Sequence, residues 1–180
     1  LDGKNNELTT ILNIQKALTS ELHIDQVIQL VSDEARRLID TKFTSVCLME
    51  QNKMKVQVAS GPLAPKLHTG SSIPLMNAIS TKSLLKGSAI HVKNADLPAS
   101  NYKDFLHASK IDSLLIMPLV SGKDLVGMIS ISESENMILG YEQERLLKIF
   151  ANIAIIAVEN ARSYQEEQNR REEEEKGKKI

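Results

Sequence analysis

Residues 112–164 constrain the fold more than any other stretch, because within them the apolar period changes once, from strand-like to helical. The apolar run Ser113-Leu114-Leu115-Ile116-Met117-Pro118-Leu119-Val120 is followed by the turn Ser121-Gly122-Lys123-Asp124 and a second apolar run from Leu125 to Ser132. Two such runs joined by a short turn containing Gly predict an antiparallel hairpin. After Gly140, Leu146, Phe150, Ile153, Ala157 and Ala161 recur at spacings of three and four, the stripe of one long helix. The helix runs on past Asn160 into charged residues. A hairpin that feeds such a helix has the outline of a sensor or relay rather than of an enzyme.

The chain before the hairpin reads as material packed against it. Residues 5–22 carry Leu8, Ile11, Gln15, Leu18 and Leu22, a narrow heptad seam suited to a partner helix. The competing reading is an amphipathic helix packed on its own domain. With Leu146, Phe150, Ile153, Ala157 and Tyr164 of the last helix, the seam residues predict a homodimer held by terminal helices. A second helix is predicted over Ile24–Ile39. A strand follows at Thr44–Glu50, apolar on both faces and therefore central. Gln51-Asn52-Lys53 reads as a turn into a strand over 54–59. Between 63 and 109 come a loop, a short helix (75–86), a short strand (89–92) and another short helix (102–109). Loops over a scaffold are where binding tends to sit.

Composition removes several classes of function. One cysteine, Cys47, excludes an internal disulfide, and the chain reads as cytoplasmic. No apolar run reaches the roughly 20 residues of a membrane span, so no membrane contact is expected. A net charge of -1, aromatics at 3% and no Trp argue against a nucleic-acid partner. The four His have no ligand-like spacing, and one Cys cannot complete a thiolate zinc site, so no metal is expected. There is no G-x-S-x-G, no phosphate loop and no G-x-G-x-x-G after a strand. No nucleophile meets a base, and no catalytic residue is assigned. The chain opens on Leu1 and ends in Lys178-Lys179-Ile180, which reads as a piece of a longer protein.

The order of elements resembles the GAF domain, a relative of the PAS fold. Asp25-Gln26-Val27-Ile28, Thr44-Ser45-Val46-Cys47-Leu48-Met49, Ser113 to Leu119 with Gly127-Met128-Ile129-Ser130, and Leu146 to Ala154 with Ala157-Val158-Glu159-Asn160-Ala161 carry the resemblance. It divides the chain into an N-terminal signalling helix (1–22), a GAF sensory domain (23–163) and a charged helical linker (164–180). It implies an α+β fold: a six-stranded antiparallel sheet, terminal helices on one face, and a pocket under loops and short helices on the other. Such domains bind cyclic nucleotides, bilins, haem, small metabolites or nothing. They sit in histidine kinases, diguanylate cyclases, phosphodiesterases and transcription activators, and a histidine kinase is the expected parent here.

Departures from the family narrow the ligand without naming it. The cyclic-nucleotide signature is missing, with Ser134-Glu135-Asn136-Met137 no substitute. Cys47 lies on a strand rather than in the loops a bilin needs, and Ser72-Ile73-Pro74 lacks the Asp of the bilin motif. A single Cys argues against the methionine sulfoxide reductase branch. His68, His91 and His107 are placed for a haem axial ligand by location only. No cofactor is therefore assigned. Pocket candidates by position are Ile73, Leu75, Asn77, Asp96, Tyr102, Phe105, Leu115 and Met117. Leu115 and Met117 alternate with Leu114 and Ile116, and the sequence leaves open which pair faces the pocket. The expected function is a sensory domain that relays a small ligand through its terminal helices. The alternative is a ligand-free dimerisation and transmission unit.

Overall fold

A computed structural model describes residues 2–18, 23–67, 69–73, 81–133 and 139–178. Its backbone begins with α1 (Asp2–Leu18) and α2 (Ile24–Ile39), followed by the strands β1 (Thr44–Glu50) and β2 (Lys53–Ser60). After a 3-10 turn at Ala64–Lys66 come α3 (Thr81–Leu85), β3 (Ile90–Lys93), a second 3-10 turn at Asn94–Asp96, and α4 (Asn101–Ala108). The hairpin β4 (Ser113–Ser121) and β5 (Asp124–Glu133) leads to α5 (Tyr141–Lys178).

Among the described residues the strands form one antiparallel sheet of five, in the order β2-β1-β5-β4-β3. This corrects the six strands implied by the resemblance. What accompanies β2 at its free edge is shorter than a strand: Val56 N donates to Ser71 O at 2.9 Å, Gly70 N to Val56 O at 2.8 Å, and Ile73 N to Met54 O at 2.8 Å. The β1–β2 turn has Gln51 at φ 52° and Asn52 at φ 62°. Positive φ at both central residues is the two-residue turn whose twist matches the flanking strands. Pro118 lies beyond the last β3–β4 pair, Ile90 with Ile116, where β4 has become the edge and a missing N–H is tolerated.

Local chemistry starts and stops α2. The Gln26 side chain accepts from the His23 backbone N–H at 3.2 Å, completing a capping box, and Asp40 at φ 60° closes the helix. Val27, Ile28, Val31, Ala35 and Ile39 share the buried face. Hydrogen bonds from Gln29 to Ala59 O (3.2 Å) and from Arg36 Nε to Ser60 Oγ (3.1 Å) pin α2 across β2.

The sheet separates two apolar layers. On the helix face, Ile14 of α1, the α2 stripe and the α5 residues Leu147, Phe150, Ala151, Ala154 and Val158 meet Val46, Leu115, Met117, Leu119, Ile129 and Ile131. On the loop face, Phe43, Cys47, Met54, Val56, Leu114, Ile116 and Met128 meet Ile73, Leu97, Tyr102, Leu106 and Ile111. Apolar side chains on both sides of β1 reflect these two layers.

Four residues of the expected seam pack within the chain itself. Leu146, Phe150, Ile153 and Ala157 are 8%, 1%, 6% and 5% exposed and face the chain's own core. These four α5 positions are occupied by packing inside the domain. Of the seam residues on α1, Leu8 is 58% exposed and Ile11 half-buried. Leu22 and the side chain of Leu18 lie outside the described residues. Tyr164 is 67% exposed, past the last core contact of α5. No described helix is long and apolar enough to cross a membrane.

Candidate functional site

The loop face of the central strands carries the candidate site. Alternation along β1 points Ser45 and Cys47 away from the helices, because Val46 between them belongs to the helix-face layer. On β5, Met128 and Ser130 do the same between Ile129 and Ile131. Ser45 and Ser130 are direct cross-strand partners, so two hydroxyls stand side by side in the middle of the sheet.

Above them lies α4. Ser100 caps this helix by accepting from Lys103 N at 3.1 Å, and Lys103 Nζ donates to Leu97 O at 2.7 Å, tying α4 to the preceding turn. The 3-10 turn and β3 are joined to the hairpin by Asn94 N donating to Asp112 O at 2.8 Å. Tyr102 is 1% exposed and Phe105 half-buried. Phe105 sits 5.4 Å from the Phe43 ring and 6.4 Å from the Tyr102 ring.

Ser45 Oγ, Ser130 Oγ and Tyr102 Oη are shut off from solvent, and none makes a hydrogen bond. The Ser45 hydroxyl sits next to both the Cys47 thiol and the Tyr102 hydroxyl without completing a well-aligned bond to either. One step along β5 the contrast is plain: the Thr41 hydroxyl donates to Ser132 O at 2.9 Å and lies 2.8 Å from Ser132 Oγ. Leaving a buried polar group unpaired costs about 1–3 kcal/mol. Burial pushes the Cys47 thiol up to about 12, with Ser45 pulling weakly the other way, so the sulfur stays protonated at neutral pH. Burial, then the proximity of Cys47, raises the Tyr102 phenol above its ordinary range.

Three of the eight positional candidates come together here: Ile73, Tyr102 and Phe105. Leu115 and Met117 point into the helix-face layer, and Leu114 and Ile116 take the loop face. Asp96 is exposed on its 3-10 turn. Leu75 and Asn77 lie outside the described residues, as does His68. His107 is exposed on α4. Sequence reasoning missed Ser45 and Ser130. A signal for them existed in Ile129-Ser130-Ile131-Ser132, where period two sets hydroxyls on one face and isoleucines on the other.

His91 belongs to the opposite face, beside Leu115. Its Nδ1 is 2.8 Å from Glu133 Oε1, and its Nε2 is 3.4 Å from Glu144 Oε1 on α5. Glu133 is 5% exposed, and its other oxygen accepts from Leu139 N at 3.1 Å. One buried carboxylate thus holds the edge strand and the lead-in to α5. Lys148 Nζ of α5 adds a bond to Gly87 O at 3.0 Å, just before β3.

Partial burial opposes the His91 charge, but the bonds and charges of Glu133 and then Glu144 outweigh it and raise the pKa above 6.5. A raised folded pKa gives stability that is complete below the unfolded value near 6.5 and lost as pH climbs through the folded one. The melting temperature is therefore expected to fall between about pH 6 and about pH 8. His91→Gln keeps a donor for Glu133 without titrating and should flatten that step; an equally steep profile in the variant would discount the cluster.

A separate open groove of about 890 Å³ runs along the β2 edge, lined by Gln29, Asp33, Arg36, Gln57 and Ser60 among others. It is polar and solvent-open, and none of the positional candidates lines it.

Comparison with known proteins follows the geometry. The chain is 24% identical over 163 residues to the formate hydrogenlyase transcriptional activator of Salmonella typhimurium, covering 87% of this chain and 24% of that protein. It thus spans about a quarter of the curated relative it matches. The GAF domain of a phosphoenolpyruvate-protein phosphotransferase from Coxiella burnetii superposes with a TM-score of 0.72 at 15% identity, covering 89% of this chain and 96% of that one. The phycoerythrobilin-bound GAF domain of a cyanobacterial phytochrome gives 0.69 at 16% identity, with coverages of 89% and 97%. The GAF domain family model matches residues 23–160, and the chain is a member of the GAF domain family.

Proposed function

We propose that this chain is the sensory module of a signalling protein, binding a small molecule on the loop face of the sheet and passing its occupancy to α5. The three buried hydroxyls without partners carry the reading. A native fold rarely leaves such groups together unless the site has a use, since stability is commonly traded against function there. The link to α5 is the Glu133–His91–Glu144 cluster with Lys148, which connects the long helix to the strand that leads into the loop-face turns. A ligand acts through this link by favouring one arrangement of α5 over another.

The isolated domain is read as non-catalytic and cytoplasmic, with α1 and the charged end of α5 as input and output helices. The curated relatives favour a transcriptional regulator as the parent, in place of a histidine kinase. A second reading, a ligand-free dimerisation unit, draws on the exposed Leu8, Leu12 and Ile156 along the helical face.

Native mass spectrometry on protein taken directly from cells separates the two. A species heavier than the 20.0 kDa chain is expected, and it should vanish in Ser45→Ala and Tyr102→Phe. The ligand-free forms of those variants should be more stable than the parent by about 1–2 kcal/mol, since each loses an unpaired buried hydroxyl. A bare chain mass together with destabilised variants would overturn the reading, because the hydroxyls would then be structural.

A further inference from the structure

His91 has a carboxylate at each ring nitrogen, and a neutral imidazole has only one proton to give. From that mismatch we propose that His91 is a proton-operated latch: charged, it holds the first turn of α5 to the edge strand β3, and neutral, it lets that turn go.

The geometry decides which contact is lost. Nδ1 lies 2.8 Å from Glu133 Oε1, and Nε2 lies 3.4 Å from Glu144 Oε1. The charged ring donates to both. A neutral ring keeps one N–H and turns a lone pair on the other carboxylate. Glu133 is 5% exposed and has Leu139 N as its other donor, so taking the imidazole proton from it would strand a buried charge. Glu144 is 38% exposed, and water can replace the ring there. The remaining proton therefore stays on Nδ1, and Glu144 is released.

Among the described residues the other charges nearby leave the ring to these two. β4 sets Leu115 opposite His91. Lys93, two residues along β3 on the same face, is exposed, as are Lys82 on α3 and Lys86 just after it. On α5, Lys148 donates to Gly87 O at 3.0 Å, and Glu142 pairs with Arg145. Partial burial opposes protonation, the two glutamates outweigh it, and the ring titrates above 6.5, near neutral pH.

Leu146, Leu147 and Phe150 keep α5 on the sheet whatever the ring does. Only the first turn is freed. Since α5 is one helix from Tyr141 to Lys178, a change of seat at that turn re-aims the far end. The latch needs no ligand, so its failure would leave the loop-face reading where it stands.

NMR on the full, ligand-free chain tests it. Long-range proton–nitrogen spectra of the His91 ring follow its titration and identify the nitrogen that keeps the proton; Nδ1–H is expected above the midpoint. Across the same midpoint the exchange protection of the Glu144 and Arg145 amides, corrected for intrinsic exchange, should fall about threefold, the worth of one half-exposed ion pair. In Glu144→Gln the side-chain amide donates to a neutral ring and accepts from a charged one, so His91 should still titrate while that protection stays constant. A neutral ring carrying its proton on Nε2 would overturn the latch. So would protection in the parent that ignores the titration, or a loss in Glu144→Gln equal to the parent's. The tautomer is read on the parent chain and needs no variant.

Discussion

Ile153→Glu is expected to unfold the chain, not merely to separate two copies of it. Ile153 is 6% exposed in the helix-face core, where α5 crosses the sheet. The substitution removes a branched apolar side chain and puts a carboxylate into the apolar cluster of Phe150, Ala154 and their neighbours. Losses of this kind exceed about 4 kcal/mol, against a total stability of about 5–15 kcal/mol for a domain. Ile156→Glu is the control. It stands on the same helix but is 45% exposed, and a monomer should feel it by no more than about 0.5 kcal/mol. Urea unfolding read by circular dichroism distinguishes the two variants. Equal midpoints would mean that α5 does not pack as described. A stable Ile156→Glu protein of altered mass would instead identify that outer surface as a contact between copies.

Gly127→Ala should cost about 3 kcal/mol, at the top of the range for overfilling a packed core. Gly127 pairs with Leu48 and Leu119 in the middle of the sheet. A Cβ there would run into the Cys47 carbonyl oxygen of the neighbouring strand and press on the Leu48 side chain. The first obstacle is backbone, so β1 and β5 would have to part, and the Ser45–Ser130 pair sits on that same seam. Gly140→Ala is the matching control, since its added methyl meets only the end of the Gln143 side chain at 3.6 Å. A Gly127→Ala protein as stable as the parent would show that the two strands are looser than their register implies.

The two largest effects fall on residues that the sequence half revealed. The period of Leu146, Phe150 and Ile153 announced a helix stripe, and the helix is there. Its partner was beyond reach, because a stripe at three-four spacing looks the same whether it meets a sheet or a second helix. The β1 and α2 boundaries were legible because each is closed by local chemistry: a left-handed residue at Asp40, and the positive-φ pair Gln51-Asn52. The face of β4 was not. Leu114, Leu115, Ile116 and Met117 are all apolar, so only pairing with a strand of mixed character decides the phase, and Ile116 opposite Ser130 does so. Reading the alternation of Ser130 and Ser132 backwards from β5 would have put Leu114 and Ile116, rather than Leu115 and Met117, on the loop face. Among the described residues the expected sixth strand is missing for a related reason. Residues 70–73 hold β2 through three backbone bonds, too few to announce a strand by pattern.

The far end of α5 has a consequence for how this molecule travels through solution. Val158 is its last residue in the core, yet the helix continues to Lys178, braced by Arg171–Glu167 and Arg170–Glu174 pairs one turn apart. At 1.5 Å per residue, a rod of about 30 Å stands off a domain of comparable width. Friction grows with the longest dimension, so a single chain will elute and sediment as if it were considerably heavier. Column volume alone would therefore make one chain look like two, and shape must be separated from mass, by light scattering or sedimentation equilibrium, before copies are counted.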